Sequence, residues 1–204
     1  MPSNNELVDC LVRRGTLRTP PIITSFQAID RRYFVQIASL SLAYEDYPLD
    51  IGYEVTISQP TTVAFMLETL APKQGEKVLD IGSGSGWTTA LLAHIVGATG
   101  AVYGVEIVPA LVIWGSNNLK KYPFSNAEIV QAEGKLGLKR KAPFDKILVS
   151  ASTRQLPEEL ITQLKVGGTL VIPIGEAIWQ VHKTSATQYN INKYPGFVFV
   201  PLQR

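Results

Sequence analysis

A glycine-rich turn flanked by two carboxylates is the part of this sequence with the clearest chemical use. Val78-Leu79-Asp80-Ile81 runs directly into Gly82-Ser83-Gly84-Ser85-Gly86, and Glu106 ends a second apolar run, Val102-Tyr103-Gly104-Val105, about 20 residues further on. Glycines let a ligand approach the backbone without a Cβ in the way, and a helix beginning after them offers unpaired N–H groups. A dinucleotide loop, G-x-G-x-x-G, would need its third glycine where this chain has Trp87, which disfavours NAD. Asp80 beside the turn would repel a pyrophosphate and attract a cation, such as the sulfonium or amino group of S-adenosylmethionine. Glu106 is placed to accept hydrogen bonds from ribose hydroxyls.

Other reactive side chains are sparse. His94 and His182 have no second ligand at metal spacing, so no metal is expected and both histidines read as structural. Cys10, the single cysteine, excludes an intrachain disulfide and reads as a packed thiol. Trp87, Trp114 and Trp179 read as core residues.

The elements that must position the turn follow from periodicity. Helices are expected over Glu6–Gly15 and Thr24–Phe34, forming an N-terminal cap, and the segment Tyr44–Pro60, broken by Pro48, Gly52 and Pro60, is expected to be irregular. Beyond it, helix and strand signals alternate: helix 61–70, strand 77–81, helix 87–96, strand 101–105, helix 109–120, strands 129–131 and 146–150, helix 156–164 and strand 169–174. That alternation predicts a doubly wound, mainly parallel α/β sheet. Trp179–His182, Tyr189–Lys193 and Phe197–Leu202 read as short antiparallel edge strands.

A chain of 204 residues, 46% hydrophobic, suits one domain with one sizeable core. Its net charge of +2 comes from basic residues scattered along the chain, so nucleic acid is not an expected partner. The polar first residues lack the pattern of a secretory signal, and no apolar run is long enough for a bilayer; a cytoplasmic protein with no membrane association is expected.

Several further segments resemble the protein-L-isoaspartate O-methyltransferase family. Tyr47-Pro48-Leu49-Asp50-Ile51-Gly52 and Thr56-Ile57-Ser58-Gln59-Pro60 are similar to its P-L-P-I-G and T-I-S-x-P blocks. Ala142-Pro143-Phe144-Asp145-Lys146-Ile147, the run Leu164 to Gly175, and Phe199-Val200-Pro201-Leu202 resemble later blocks, and Arg31, Arg32 and Phe34 fall where the family's leading segment ends in an arginine-rich turn. The resemblance implies a Rossmann-like class I S-adenosylmethionine-dependent methyltransferase fold in a single domain over 1–204, with the helical cap and substrate segment in 1–60 and the cofactor-binding core in 61–204. It implies a monomer that binds S-adenosyl-L-methionine through Asp80, Gly82, Ser83, Gly84, Gly86, Glu106, Ile107, Glu133 and Gly134. It also implies an acceptor held by Ile51, Gly52, Thr56 and Ile57, with Ser58 as the active-site hydroxyl that orients the acceptor carboxylate. The implied reaction is methylation of the α-carboxyl of L-isoaspartyl residues in damaged proteins or peptides, a repair step.

Two departures bear on that expectation. Glu54 and Val55 stand where the family block I-G-x-G-Q-T-I-S has its second glycine and glutamine, which leaves open a carboxyl methyltransferase acting on another peptide or small molecule. Glu133 stands where the family has aspartate, and it could still accept a hydrogen bond from the adenine amino group. Ser58 has a plainer alternative as a cap for the helix starting near Pro60.

Overall fold

The computed structural model describes residues 3–203. Helices α1 (Asn4–Arg13) and α2 (Pro20–Ala28) lead into 3-10 turns at Arg31–Phe34 and Ile37–Leu42, and then into a hairpin of β1 (Leu49–Gly52) and β2 (Val55–Ile57). After α3 (Pro60–Leu70) come β3 (Lys77–Ile81), α4 (Trp87–Val96), β4 (Ala101–Glu106), α5 (Pro109–Leu119) and β5 (Ala127–Gln131). The chain continues through β6 (Phe144–Val149), α6 (Glu158–Gln163), β7 (Leu164–Ile174), β8 (Ala177–Lys183) and β9 (Tyr189–Pro195).

The helices start where local chemistry favours it. Ser3 and Glu6 form a reciprocal capping box on α1. Proline occupies the first turn of α2, α3 and α5, where its missing N–H costs no helical hydrogen bond.

The main sheet has seven strands in the order β5-β4-β3-β6-β7-β8-β9, parallel from β5 to β7 and antiparallel for the last two pairings. The expected antiparallel edge is therefore present in β8 and β9. Strands β3 and β6 are almost wholly buried, as strands covered on both faces must be, although each carries charged residues, Asp80 and Lys146 among the buried ones. Side chains alternate across the sheet: Val78, Leu148 and Val171 join a core shared with α3, α4, α5 and the N-terminal cap, whereas Leu79, Ile147 and Leu170 join a second core beneath α6. Cap and sheet thus share one apolar interior.

Three expectations need correction. A continuous helix over Thr24–Phe34 does not form: α2 ends at Ala28, Ile29 is extended, and the Asp30 carboxylate accepts from the Arg32 N–H to start a separate 3-10 turn. Tyr44–Pro60 is not irregular throughout, because its centre folds into the β1–β2 hairpin, closed by Tyr53 and Glu54 with φ of 58° and 60°. Phe197–Leu202 is not a strand. Phe197 stacks on Phe65, and the segment meets the body through a bridge between Pro201 and Ser152.

Strand order reverses between β3 and β6, the topological switch point at which open α/β sheets hold ligands beyond their strand ends. Close packing fixes the turn there: a Cβ on Gly115 of α5 would lie 2.9 Å from the Gly84 carbonyl oxygen and 2.8 Å from Ile129 Cδ1. Gly115→Ala should therefore destabilise the fold by about 1–3 kcal/mol and weaken ligand binding at the turn. Thermal unfolding with and without ligand checks this; an unchanged melting temperature would show that the backbone yields at no cost.

Candidate active site

A cavity of about 510 Å³ opens at the switch point, within the size range of small-molecule sites. Its wall includes Ile81, Gly82 and Gly84 after β3, Val105 to Val108 after β4, Ala132 and Gly134 to Gly137 after β5, and Ser150 and Ala151 after β6. A second cavity of about 40 Å³ shares Ile51, Thr56, Gly82, Gly84 and Ser150 with the first. Hydroxyl-bearing residues crowd this smaller space: Thr56, Ser58, Ser83, Ser85, Thr88 and Ser150.

Glu106 is the best-defined polar group on the larger wall. Its Oε2 accepts from the Gly84 N–H at 2.9 Å, and its Oε1 accepts from the Ile107 and Val108 N–H groups at 2.8 and 2.9 Å. The carboxylate thereby ties the glycine turn to the end of β4, and each oxygen keeps acceptor capacity for a ligand hydroxyl. The left-handed Gly82 and Gly84, with φ of 75° and 53°, bring bare backbone to the cavity.

Asp80 lies on neither of these two cavity walls. It is fully buried, and its Oδ2 accepts from Thr88 Oγ1 at 2.7 Å and Thr89 Oγ1 at 2.6 Å. Thr88 lines the smaller cavity, so Asp80 reaches the site through that hydroxyl. Its Oδ1 has no hydrogen-bond partner among the described residues. Burial pushes the Asp80 carboxyl up to about 6; hydrogen bonds from Thr89 and Thr88 oppose the rise, and the charge of Glu106 adds to it.

The other expected residues divide clearly. Ile51, Thr56, Gly82, Gly84, Glu106, Ile107 and Gly134 face the larger cavity; Ile57, Ser58 and Ser83 face the smaller one. Three expected residues lie elsewhere. Gly52, with φ of 86°, shapes the hairpin turn, and Gly86 begins α4. Glu133 is exposed and pairs with Arg140 at 2.6 Å. Ser58 does not cap α3, whose N-cap is Gln59 without a side-chain hydrogen bond. Val55 lines the larger cavity while Glu54 sits exposed at the hairpin tip.

Sequence reasoning missed Ser150, Thr88, the run Lys135 to Gly137, and Val200 to Gln203, all of which line a cavity. Ser150 was findable, since it follows the strand adjacent to the glycine turn. Val200 to Leu202 fall in a block that resembles the family's, but their place on the cavity wall depends on tertiary docking.

The sequence matches the protein-L-isoaspartate(D-aspartate) O-methyltransferase family over residues 2–204. The chain belongs to this family. A Pyrobaculum islandicum protein-L-isoaspartate O-methyltransferase is 40% identical over 202 residues, covering 97% of this chain and 98% of the relative. One from Pyrobaculum neutrophilum is 39% identical over 203 residues, covering 98% of each. A Plasmodium falciparum crystal structure described as a protein-L-isoaspartate O-methyltransferase, in complex with S-adenosyl-L-homocysteine, superposes with a TM-score of 0.89 at 27% identity, covering 100% of this chain and 99% of that one. The Rossmann-like methyltransferase fold expected from the sequence is therefore present.

The Asp80 environment has a measurable consequence. Its folded-state value lies above the roughly 3.9 of an exposed aspartate, so the folded protein holds this proton more tightly than the unfolded chain. Its contribution favours folding below about pH 4 and is lost as pH rises through about 6. Relative to Asp80→Asn, the wild type should lose on the order of 2–3 kcal/mol of stability between pH 4 and pH 7. Urea unfolding of both proteins across that range measures it, and a pH-independent difference would contradict the assignment.

Proposed function

We propose that this protein methylates the α-carboxyl of L-isoaspartyl residues in damaged proteins or peptides, using S-adenosyl-L-methionine. The observation that carries the reading is the pair of adjoining cavities with shared walls, one sized for a nucleoside-bearing ligand and a smaller one rich in hydroxyl-bearing residues able to donate to a carboxylate. Family membership over nearly the whole chain, and a relative solved with S-adenosyl-L-homocysteine, support it.

The residues present fit that ligand. Glu106 would accept from its ribose hydroxyls, the bare backbone at Gly82 and Gly84 would admit its amino-acid portion, and Ile107, Val108 and Leu136 would flank its adenine. Asp80, acting through Thr88 with an unpaired oxygen to spare, would bias the site toward a cation. With Glu133 held by Arg140, the adenine amino group would fall to backbone near Gly134 unless that exposed pair opens. Bound there, S-adenosyl-L-methionine supplies a methyl group already activated by its sulfonium leaving group.

The chain's own residues then have three tasks. Ser58 and Thr56 donate hydroxyl hydrogen bonds that aim an acceptor carboxylate from the smaller cavity. Ile51, Ile57 and Trp87, all present at that cavity, exclude water from it. No residue need remove a proton, because a carboxylate with a pKa of about 4 is ionised at neutral pH. Of the two departures in the hairpin, only Val55 lies on a cavity wall, so it is the one able to alter the acceptor.

The proposal includes a single methyltransferase domain over 1–204, acting as a cytoplasmic monomer on protein substrates and not on nucleic acid. No helix among the described residues is long and apolar enough to cross a membrane.

Paired peptides that differ only in carrying isoaspartate or aspartate, incubated with methyl-labelled S-adenosyl-L-methionine, test the reading. Label should appear as an alkali-labile ester on the isoaspartyl peptide alone. Ser58→Ala should lower kcat/KM by roughly tenfold to a thousandfold, as loss of an orienting hydrogen bond does. Equal labelling of both peptides, or label on neither while the cofactor binds, would exclude this acceptor.

A further inference from the structure

The buried guanidinium of Arg31 lines neither of the two cavities described above, yet it touches two residues of the smaller one. Arg31 has 0% exposure and, among the described residues, no carboxylate within ion-pair distance. Its Nη1 donates to the carbonyls of Ala43 at 2.8 Å and Glu45 at 3.2 Å, and its Nη2 donates to those of Tyr47 at 3.0 Å and Ser58 at 3.2 Å. The guanidinium carbon also lies 5.3 Å from the centroid of the Trp87 ring.

This arrangement fastens three segments that are far apart in sequence. The 3-10 turn carrying Arg31 belongs to the N-terminal cap, Ser58 follows the hairpin, and Trp87 begins the helix after the glycine turn. Ser58 and Trp87 both line the smaller cavity. The planar fork reaches carbonyls on either side in fixed directions, which a lysine ammonium cannot do from one position.

We propose that Arg31 is a positioning residue for the acceptor, setting the main chain of Ser58 against Trp87 so that the Ser58 hydroxyl meets the acceptor carboxylate in reactive alignment. The inference rests on the acceptor reading given above. It assigns a catalytic consequence to a side chain that touches neither substrate nor ligand. A displacement of about 1 Å at a reacting centre costs up to a hundredfold in rate. The larger cavity shares the hairpin wall of Ile51 and Thr56 with the smaller one, but most of its lining comes from the ends of β3, β4 and β5 and the segments after them, to which Arg31 makes no hydrogen bond.

Arg31→Lys keeps a buried cation and removes the fork. Its kcat on the isoaspartyl peptide should fall about ten- to a hundredfold, with a smaller change in peptide KM. Binding of S-adenosyl-L-homocysteine, followed by calorimetry, should stay stoichiometric and within about twofold of wild type, which a general loss of structure would not allow. An unchanged kcat overturns the proposal, as does cofactor affinity falling in step with kcat. A variant that no longer unfolds cooperatively would mark Arg31 as purely structural and also overturn it. Wild-type enzyme run alongside separates the two readings: if it fails to label the peptide, the acceptor assignment falls and takes this one with it, whereas active wild type and active Arg31→Lys sink only the role of Arg31.

Discussion

The ligand end of this molecule depends on one buried carboxylate. Glu106 closes β4 and gathers three backbone N–H groups, from Gly84, Ile107 and Val108, that would otherwise end a strand and a tight turn without partners. Buried donors left unpaired cost free energy, so the glycine turn and the β4 terminus are held in register by the same side chain. The turn needs glycine for its left-handed backbone, and a backbone with so little side-chain packing needs an external anchor. Sheet order then does the rest by placing β3, β4 and β6 ends side by side.

A second theme is the use of buried charge without a direct opposite charge. Arg31 is met by carbonyls and an indole face, and Asp80 by two threonine hydroxyls. Burial weakens the charged form of each: it lowers the Arg31 value to about 10, opposed by the nearby Asp46 carboxylate, and raises that of Asp80. Such groups stabilise poorly and specify well, because removing a partner leaves an orphan that no alternative packing can satisfy. Both occur beside the smaller cavity, where the reacting groups must be aligned.

Much of this was legible in sequence because period and punctuation agree with the final fold. The strand into the glycine turn, the helix after it and the carboxylate at the end of β4 are local patterns that tertiary contacts did not override. For Asp80 the position in the strand is clear from sequence, while its contact with the Thr88 and Thr89 hydroxyls of α4 is not. The pairing of Glu133 with Arg140, seven residues on, was not legible in sequence, because it depends on the path of the loop between them. The helix expected through Asp30 failed for a local reason, an aspartate able to cap a new turn, and that signal was present but outweighed by the apolar pattern. The hairpin was hidden by turn residues, Tyr53 and Glu54, that seldom adopt positive φ.

Those two residues carry a further implication. A left-handed conformation is a narrow well for a side chain bearing a Cβ, and a wide one for glycine. With tyrosine and glutamate at its tip, the hairpin that presents Ile51, Val55 and Thr56 has fewer shapes available than a glycine-tipped hairpin would. An incoming peptide meets a wall that is already set, so little ordering entropy is lost on contact. The same stiffness limits how far the wall can yield to a bulkier neighbour of the acceptor residue, and the range of damaged sequences admitted is narrower as a result.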